Sequence, residues 1–415
     1  MRSRINNMLS EMYNLEIFEI KEIITSCKKI NPYNYKNVNG RTVIDKEKIL
    51  KKENINLDYY KNLLNIYGNI KFPNRSAIMS ELMNLMPDIH KYHAYTIYRF
   101  DIKQFFYNID SKKSWIHIDN LLNLHPHERE FFSKYVKANK NLMPGIGLHN
   151  SMIEVLGNHF DIKVKEYFYD NCIFYSRYVD DGIIILDEVI SLKEIEDTIS
   201  SLLKNILGKN IKLNSQKTKY FNKSHSRIEF EYLGYQFSKT QKASFNFGIA
   251  KSKIDKYKEK IGKYIDEYKR TRDEDLLDFQ LDILFKRIVF YGSRKNTNTP
   301  RWQVRGISDS YKELKRFMKN TENISKITPE TLSFFEKAII QSFGKLREPI
   351  PQRINNKIIN KRYLSNFCKN RTILIHPKLG WRYIDLKNCL ENIYKVDTTN
   401  KSYLEIATIF FNKYK

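Results

Sequence analysis

Cys172-Ile-Phe-Tyr-Ser-Arg-Tyr-Val-Asp-Asp-Gly-Ile-Ile-Ile-Leu186 is two short apolar runs with a pair of aspartates between them. Cys172–Tyr178 and Gly182–Leu186 have the length and the aromatic and β-branched content of strands, and Val179-Asp180-Asp181 is short enough to close a hairpin. An Asp-Asp pair is most often a surface turn. With an apolar strand on each side, however, two adjacent carboxylates repel one another in a poorly solvated place, which is costly unless cations compensate them.

The flanking segments complete a sheet around that hairpin. Tyr95–Phe100 reads as a strand that ends at Asp101. Residues 111–140 read as helical, with Ser111 as the N-cap. The turn Met143-Pro-Gly-Ile-Gly147 precedes a helix from about Asn150 to Tyr167. After the hairpin, residues 193–207 place Ile195, Ile199, Leu202, Leu203 and Ile206 on one helical face. Gly208 and Asn210 stop that helix, and Ile211–Leu213 reads as a strand. The order is β-α-β-β-α-β with a helical insertion, the split βαβ plan of an antiparallel sheet backed by two helices. In that plan the first strand lies beside the hairpin, so Asp101 can meet Asp180 and Asp181. Two-metal phosphoryl transfer needs carboxylates converging in this way from separate elements.

Residues 1–95 read mainly as helices, with polar breaks at Asn31–Arg41 and Gly68–Ser76. Past about residue 240 the pattern is helical and basic, as in Lys251-Ser-Lys-Ile-Asp-Lys-Tyr-Lys-Glu-Lys260, with an interruption from Gly292 to Gly306. The expected organisation is an N-terminal helical region over 1–94, a central region over 95–240 with its insertion at 111–142, and a helical C-terminal region over 241–415.

Composition narrows the function. Of 415 residues, 72 are Lys or Arg against 47 Asp or Glu, a net charge of +25, which points to a polyanionic partner. The 28 Tyr and 25 Phe supply rings that can stack on bases, although most belong to cores. Cys27, Cys172, Cys368 and Cys389 form no Cys-x-x-Cys pair, so neither zinc nor a disulfide framework is indicated. His125 and His127 flank Pro126 in an expected loop and are not assigned a metal. No apolar run is long enough to cross a membrane, and the start of the chain lacks a signal-peptide core, so the expected compartment is the cytoplasm and no membrane partner is expected.

Five motifs in order resemble a known family. Tyr178-Val-Asp-Asp181 resembles the metal-binding hairpin of reverse transcriptases. Phe100-Asp-Ile-Lys-Gln-Phe-Phe-Tyr-Asn-Ile-Asp110 is similar to their first catalytic block, in the form seen in retron and group II intron enzymes. Gly145-Ile-Gly-Leu-His-Asn-Ser151 resembles the glycine-serine block, Asn214-Ser-Gln-Lys-Thr218 the lysine block, and Tyr232-Leu-Gly-Tyr235 the primer-grip hairpin. The resemblance implies an α+β right-hand polymerase with fingers, a split βαβ palm and a helical thumb.

It also implies roles. Asp101, Asp180 and Asp181, with the backbone of Ile102, would hold two Mg2+ ions, with Mn2+ as a substitute. Phe106 would exclude a ribonucleotide 2′-hydroxyl, and Phe105 would be core. Gly147 and Ser151 would support template and incoming nucleotide, Arg75 in Pro73-Asn-Arg-Ser76 would meet the triphosphate, and Lys217, with Lys219 as its rival, would serve the leaving pyrophosphate. Leu233 and Gly234 would grip the primer, and Lys251, Arg294, Lys295, Arg301 and Arg305 would hold nucleic acid.

Ile146 stands where the family's glycine-serine block often carries glutamine. The chain lacks maturase zinc and endonuclease motifs and is similar to the abortive-infection and defence-associated bacterial reverse transcriptases. That likeness implies deoxynucleoside triphosphates as substrates, a partner noncoding RNA and antiphage defence. Template-independent or protein-primed synthesis, a second protein or self-assembly, and an inactive RNA-binding module stay open as alternatives.

Overall fold

A computed structural model describes residues 2–26, 30–38, 40–240, 244–293, 300–318 and 321–413. Two compact units divide the chain, residues 1–225 and 226–415.

The first unit is built on an antiparallel sheet. Its strands run in the order Cys172–Tyr178, Asp181–Leu186, Thr96–Lys103 and Lys212–Leu213, with Lys219–Asn222 also paired to Thr96–Lys103. Side chains alternate across a strand, and this alternation sorts Thr96–Lys103 into two faces. Tyr98, Phe100 and Ile102 join the core with Ile184 and Leu186. Arg99 and Asp101 therefore share the opposite face. The helix Gly147–Tyr167 contributes Leu148, Met152, Leu156, Phe160 and Val164 to that core, and Leu192–Ile206 contributes Ile195, Ile199 and Leu203. Each such side chain stabilises the fold by about 1.5–3 kcal/mol. Ser191 accepts a hydrogen bond from the Glu194 amide and so starts the second helix.

The expected β-α-β-β-α-β order is present, with differences in detail. Thr96–Lys103 continues past Asp101 because Ile102 and Lys103 pair with Leu213 and Lys212. The insertion is two helices, Ser111–Leu121 and Pro126–Ala138. Asp110, not Ser111, is the N-cap of the first, accepting from the Lys112 amide. The polar break at Asn31–Arg41 is part of a hairpin, Tyr35–Val38 with Arg41–Ile44. Tyr35–Val38 is exposed along its whole length, so it carries no alternating signal.

In the second unit Arg227–Tyr232, Tyr235–Thr240 and Asn246–Ile249 form a three-stranded sheet. Leu233 and Gly234 make its two-residue turn, with φ of +48° and +82°, the left-handed pair such hairpins demand. Helix Lys251–Thr271 carries the basic pattern, whereas Glu274–Leu284 has no basic residue and Pro329–Leu346 balances two lysines with two glutamates. The region past 240 is not purely helical, however. The two ends of the interruption lie on paired antiparallel strands, Arg287–Ser293 and Pro300–Arg305, and Thr372–Ile375 pairs parallel to the first of them. Among the described residues no helix is long and apolar enough to cross a membrane.

Candidate active site

The sheet brings the aspartates together. Asp101 and Asp181 face one another across paired strands, with Phe100 opposite Gly182. Only glycine fits there, because a Cβ on Gly182 would stand 2.1 Å from Phe100 Cζ. Asp180 lies in the two-residue turn, and its carbonyl accepts from the Ile102 amide at 2.9 Å. Val179 closes that turn with φ +62°, a strained conformation for a β-branched residue.

Each carboxylate meets a defined set of neighbours. Asp101 is 4% exposed. Its Oδ1 accepts from Asn214 Nδ2 at 2.9 Å and its Oδ2 from Lys217 Nζ at 3.1 Å. Asp181 is paired with Arg99, whose guanidinium also donates to the Lys217 carbonyl. Burial raises Asp180 above the ordinary carboxylate range and the charge of Asp101 adds to this, while Lys217 and Arg41 oppose it. Burial likewise pushes Asp181 up to about 6, against the pull of Arg99 and with the repulsion of Asp180 and Asp101. This is the signature of like charges sharing a site.

The donor chemistry suits a hard divalent cation, since carboxylate oxygens are its preferred ligands and each retains lone pairs beyond those already used. A cation would also offset the burial and mutual repulsion that raise Asp180 and Asp181. Among the described residues no three His, Cys, Asp or Glu side chains stand close enough to hold one ion. In this structure Lys217 and Arg99 are the cations nearest Asp101 and Asp181.

No family model matches the chain, and no curated protein matches it. Among solved structures, apo telomerase from Candida tropicalis is similar at 12% identity and a TM-score of 0.43, over 93% of this chain and 70% of that one. Telomerase from Candida albicans with the TWJ fragment of telomeric RNA is similar at 10% identity and 0.39, over 91% and 65%. A Candida tropicalis telomerase truncated from its C-terminal domain is similar at 13% and 0.36, over 51% and 55%. The chain thus spans between 55% and 70% of the length of these structures.

The other expected residues fall in different places. Of the two rival lysines, Lys217 is the one whose ammonium reaches Asp101. Phe105 is buried and Phe106 half-buried, their rings 5.6 Å apart and edge to face. Gly147 opens the helix Gly147–Tyr167, close against Lys61, where a Cβ would stand 2.6 Å from Cδ. Ser151 is fully buried, and its hydroxyl donates to Asn65 Oδ1 at 2.7 Å. Arg75 is the first residue of the helix Arg75–Leu85, behind the Asn74 cap. Ile102 is buried, with its amide taken by Asp180. In the second unit the Lys251 amide donates to Glu231, and Arg301 is exposed on its hairpin. Arg305 is half-buried, its guanidinium 3.8 Å from the Phe411 ring centroid and donating to the Phe411 carbonyl at 2.6 Å. Arg294, Lys295 and Cys27 lie outside the described residues.

Three features of the site had no clear sequence signal. Arg41, on the N-terminal hairpin, acts on Asp180. That hairpin is held by the Ile44 amide, which donates to the Pro144 carbonyl at 2.9 Å, and Gly145 lies so close that a Cβ would be 2.8 Å from Ile44 backbone. His149 fixes the same glycine turn. It donates from Nδ1 to the Met143 carbonyl at 2.6 Å and accepts at Nε2 from the Tyr135 hydroxyl at 2.9 Å, an arrangement that sets its tautomer. Arg177 lies under the aspartate turn. It donates to the Val179 carbonyl at 3.0 Å and to the buried Glu154 and the half-buried Asp161 at 2.8 Å each. Glu154, Gly157 and Asp161 lie on one helical face, and a Cβ on Gly157 would be 2.2 Å from Arg177 Nη2.

Proposed function

We propose that this chain is a metal-dependent nucleic-acid polymerase of the reverse-transcriptase type that adds deoxynucleotides to a DNA strand. The observation that carries the reading is the Asp101–Asp181 register across adjacent strands, with Asp180 in the intervening turn. Three carboxylates so placed repel one another even with Arg99 and Lys217 paired to two of them, and their convergence from separate elements is what two-metal phosphoryl transfer requires. Asp101, Asp180 and Asp181, with the Ile102 carbonyl, would hold two Mg2+ ions (Mn2+ as a substitute), which supply activation of the primer 3′-hydroxyl and neutralisation of the triphosphate. The chain's own groups do the rest. Lys217 has 59% of its side chain exposed, so it can leave Asp101 and meet the departing pyrophosphate. Arg41, whose charge acts on Asp180, would draw the triphosphate in. Phe106 stands as the gate against a 2′-hydroxyl, backed by Phe105.

The likeness to abortive-infection enzymes supports a dedicated noncoding RNA as partner and a role in antiphage defence, in keeping with the +25 charge. A second reading draws on the pairing of Lys217 with Asp101 and Arg99 with Asp181. Cations already on two of the carboxylates suit a module that binds RNA without catalysis. Primer extension in Mg2+ with deoxy- and ribonucleotides, on wild type and Phe106→Ala, separates the two. The polymerase reading expects deoxynucleotide incorporation by wild type and a higher ribonucleotide share in the variant. No incorporation from any primer, alongside tight RNA binding, would establish the module instead.

A further inference from the structure

Arg287, Lys312, Lys315, Arg316 and Lys369 line one cavity of about 1130 Å3 in the second unit, together with Asp309, Met318, Cys368 and Asn370. Among the described lining residues five cations meet a single carboxylate, and Asp309 is bound to Arg287, its Oδ1 accepting from Nε at 3.0 Å. Like charges gathered around one hollow repel one another, and a fold does not assemble them without an anion to hold.

Lys315 is the most telling member. Its residue is 8% exposed, yet the ammonium is held by two neutral oxygens, Ser308 Oγ and Asn370 Oδ1, each at 2.8 Å. Ser308 in turn donates to the Phe367 carbonyl at 3.2 Å, so its lone pair is aimed at the lysine. Buried lysines are ordinarily matched by a carboxylate. Here burial pushes the group down to about 8, and the charge of Arg287 works in the same direction against Asp309. Arg316 packs over Phe317 at 4.6 Å, and Lys312 and Lys369 stand exposed at the rim.

The lining also identifies the class of ligand. Among the described residues it contains no aromatic ring, so bases have no platform there on which to stack. The cations surround a volume instead of following a line, which suits a compact anion better than a strand backbone. A single phosphate brings about two negative charges, fewer than five cations set against one carboxylate call for. We propose that this cavity binds a polyphosphate chain, either the 5′-triphosphate end of an RNA or the triphosphate of a free nucleotide. The site does not depend on the polymerase reading, and it is built from residues other than those expected to cradle nucleic acid.

Calorimetric titration of the full chain with inorganic tripolyphosphate, at physiological salt and with EDTA present to disable divalent-dependent binding, tests it. Wild type should bind one equivalent. Lys312→Ala with Lys369→Ala, both on exposed side chains, should weaken binding about tenfold or more, as should Lys315→Met. Asp180→Asn with Asp181→Asn should bind as wild type does, which separates this site from the aspartate cluster. Two further arms locate the source. Tighter binding of a 5′-triphosphate oligoribonucleotide than of its 5′-hydroxyl counterpart assigns an RNA end, whereas ATP competing with tripolyphosphate while both oligonucleotides bind alike assigns a free nucleotide. No binding by wild type, or the same affinity in both lysine variants, overturns the proposal.

Discussion

Two buried cations, one in each unit, have opposite surroundings. Arg177 lies beneath the aspartate turn with 1% of its side chain exposed, bonded to Glu154 and Asp161. Burial alone would depress its guanidinium, but the two carboxylates carry it above the usual range. Lys315 is nearly as buried but is held by neutral oxygens, and its ammonium is pushed down to about 8. A fully compensated charge is a structural part. It fixes the Val179 carbonyl and with it the strained turn that presents Asp180. A charge left without a carboxylate is costly in the absence of a partner, and that cost is recovered when an anion arrives. Burial by itself therefore does not tell structural cations from binding ones, whereas the charge of their partners does.

Breaking the comparison starts with the largest effect. Arg177→Met leaves Glu154 and Asp161 without their cation and should cost about 3–5 kcal/mol, read from urea denaturation. Lys315→Met removes a charge whose hydrogen-bond partners are neutral oxygens and should change stability by less than about 1 kcal/mol without ligand. Similar losses from the two variants would end the distinction.

Next comes His149. Burial pushes its imidazole down to about 4 from 6.5, so the unfolded chain takes up the proton first as pH falls. The stabilisation is complete above about pH 6.5 and should be lost, by about 3 kcal/mol, as pH falls toward 4. Urea midpoints across that window should fall in wild type and fall less in His149→Gln. Parallel curves would show that His149 is not the group responsible.

A smaller effect sharpens the Arg177 half of the comparison. Gly157→Ala pushes a methyl into the guanidinium and should destabilise by about 1–3 kcal/mol. In Gly157→Ala combined with Arg177→Met the penalty should shrink, because the clash partner is gone. Additive losses would place the glycine's role elsewhere.

Much of the first unit could be read from residue pattern, because its elements are patterned by burial on one face. The hairpin Cys172–Leu186 and the helix at 192–206 bury apolar residues at regular spacing, and the aspartates sit where those runs are interrupted. Elements that bury little give no such signal. Tyr35–Val38 is wholly exposed, and Arg287–Arg305 carries glycine and arginines through its strands, so both hairpins look like loops in sequence. Lys219–Asn222 is read with difficulty because it follows the lysine block and is only half-buried. Residue pattern could not reveal that Ser151 turns inward to Asn65 or that Arg305 turns onto Phe411, because each depends on a residue distant in sequence. The Glu154–Asp161–Arg177 cluster is hidden for the same reason. Glu154 and Asp161 look like ordinary helix-surface acids until the hairpin places Arg177 between them.

The central claim is that Asp101, Asp180 and Asp181 form a catalytic cluster. Its most direct test is nucleotide incorporation by Asp180→Asn, Asp181→Asn protein, purified with whatever RNA it carries and checked for an unchanged urea midpoint. Both substitutions keep the side-chain volume and remove two charges whose burial already disfavours ionisation, so the fold should hold or gain stability while incorporation falls to background. Incorporation at the wild-type rate by the well-folded variant would contradict the account.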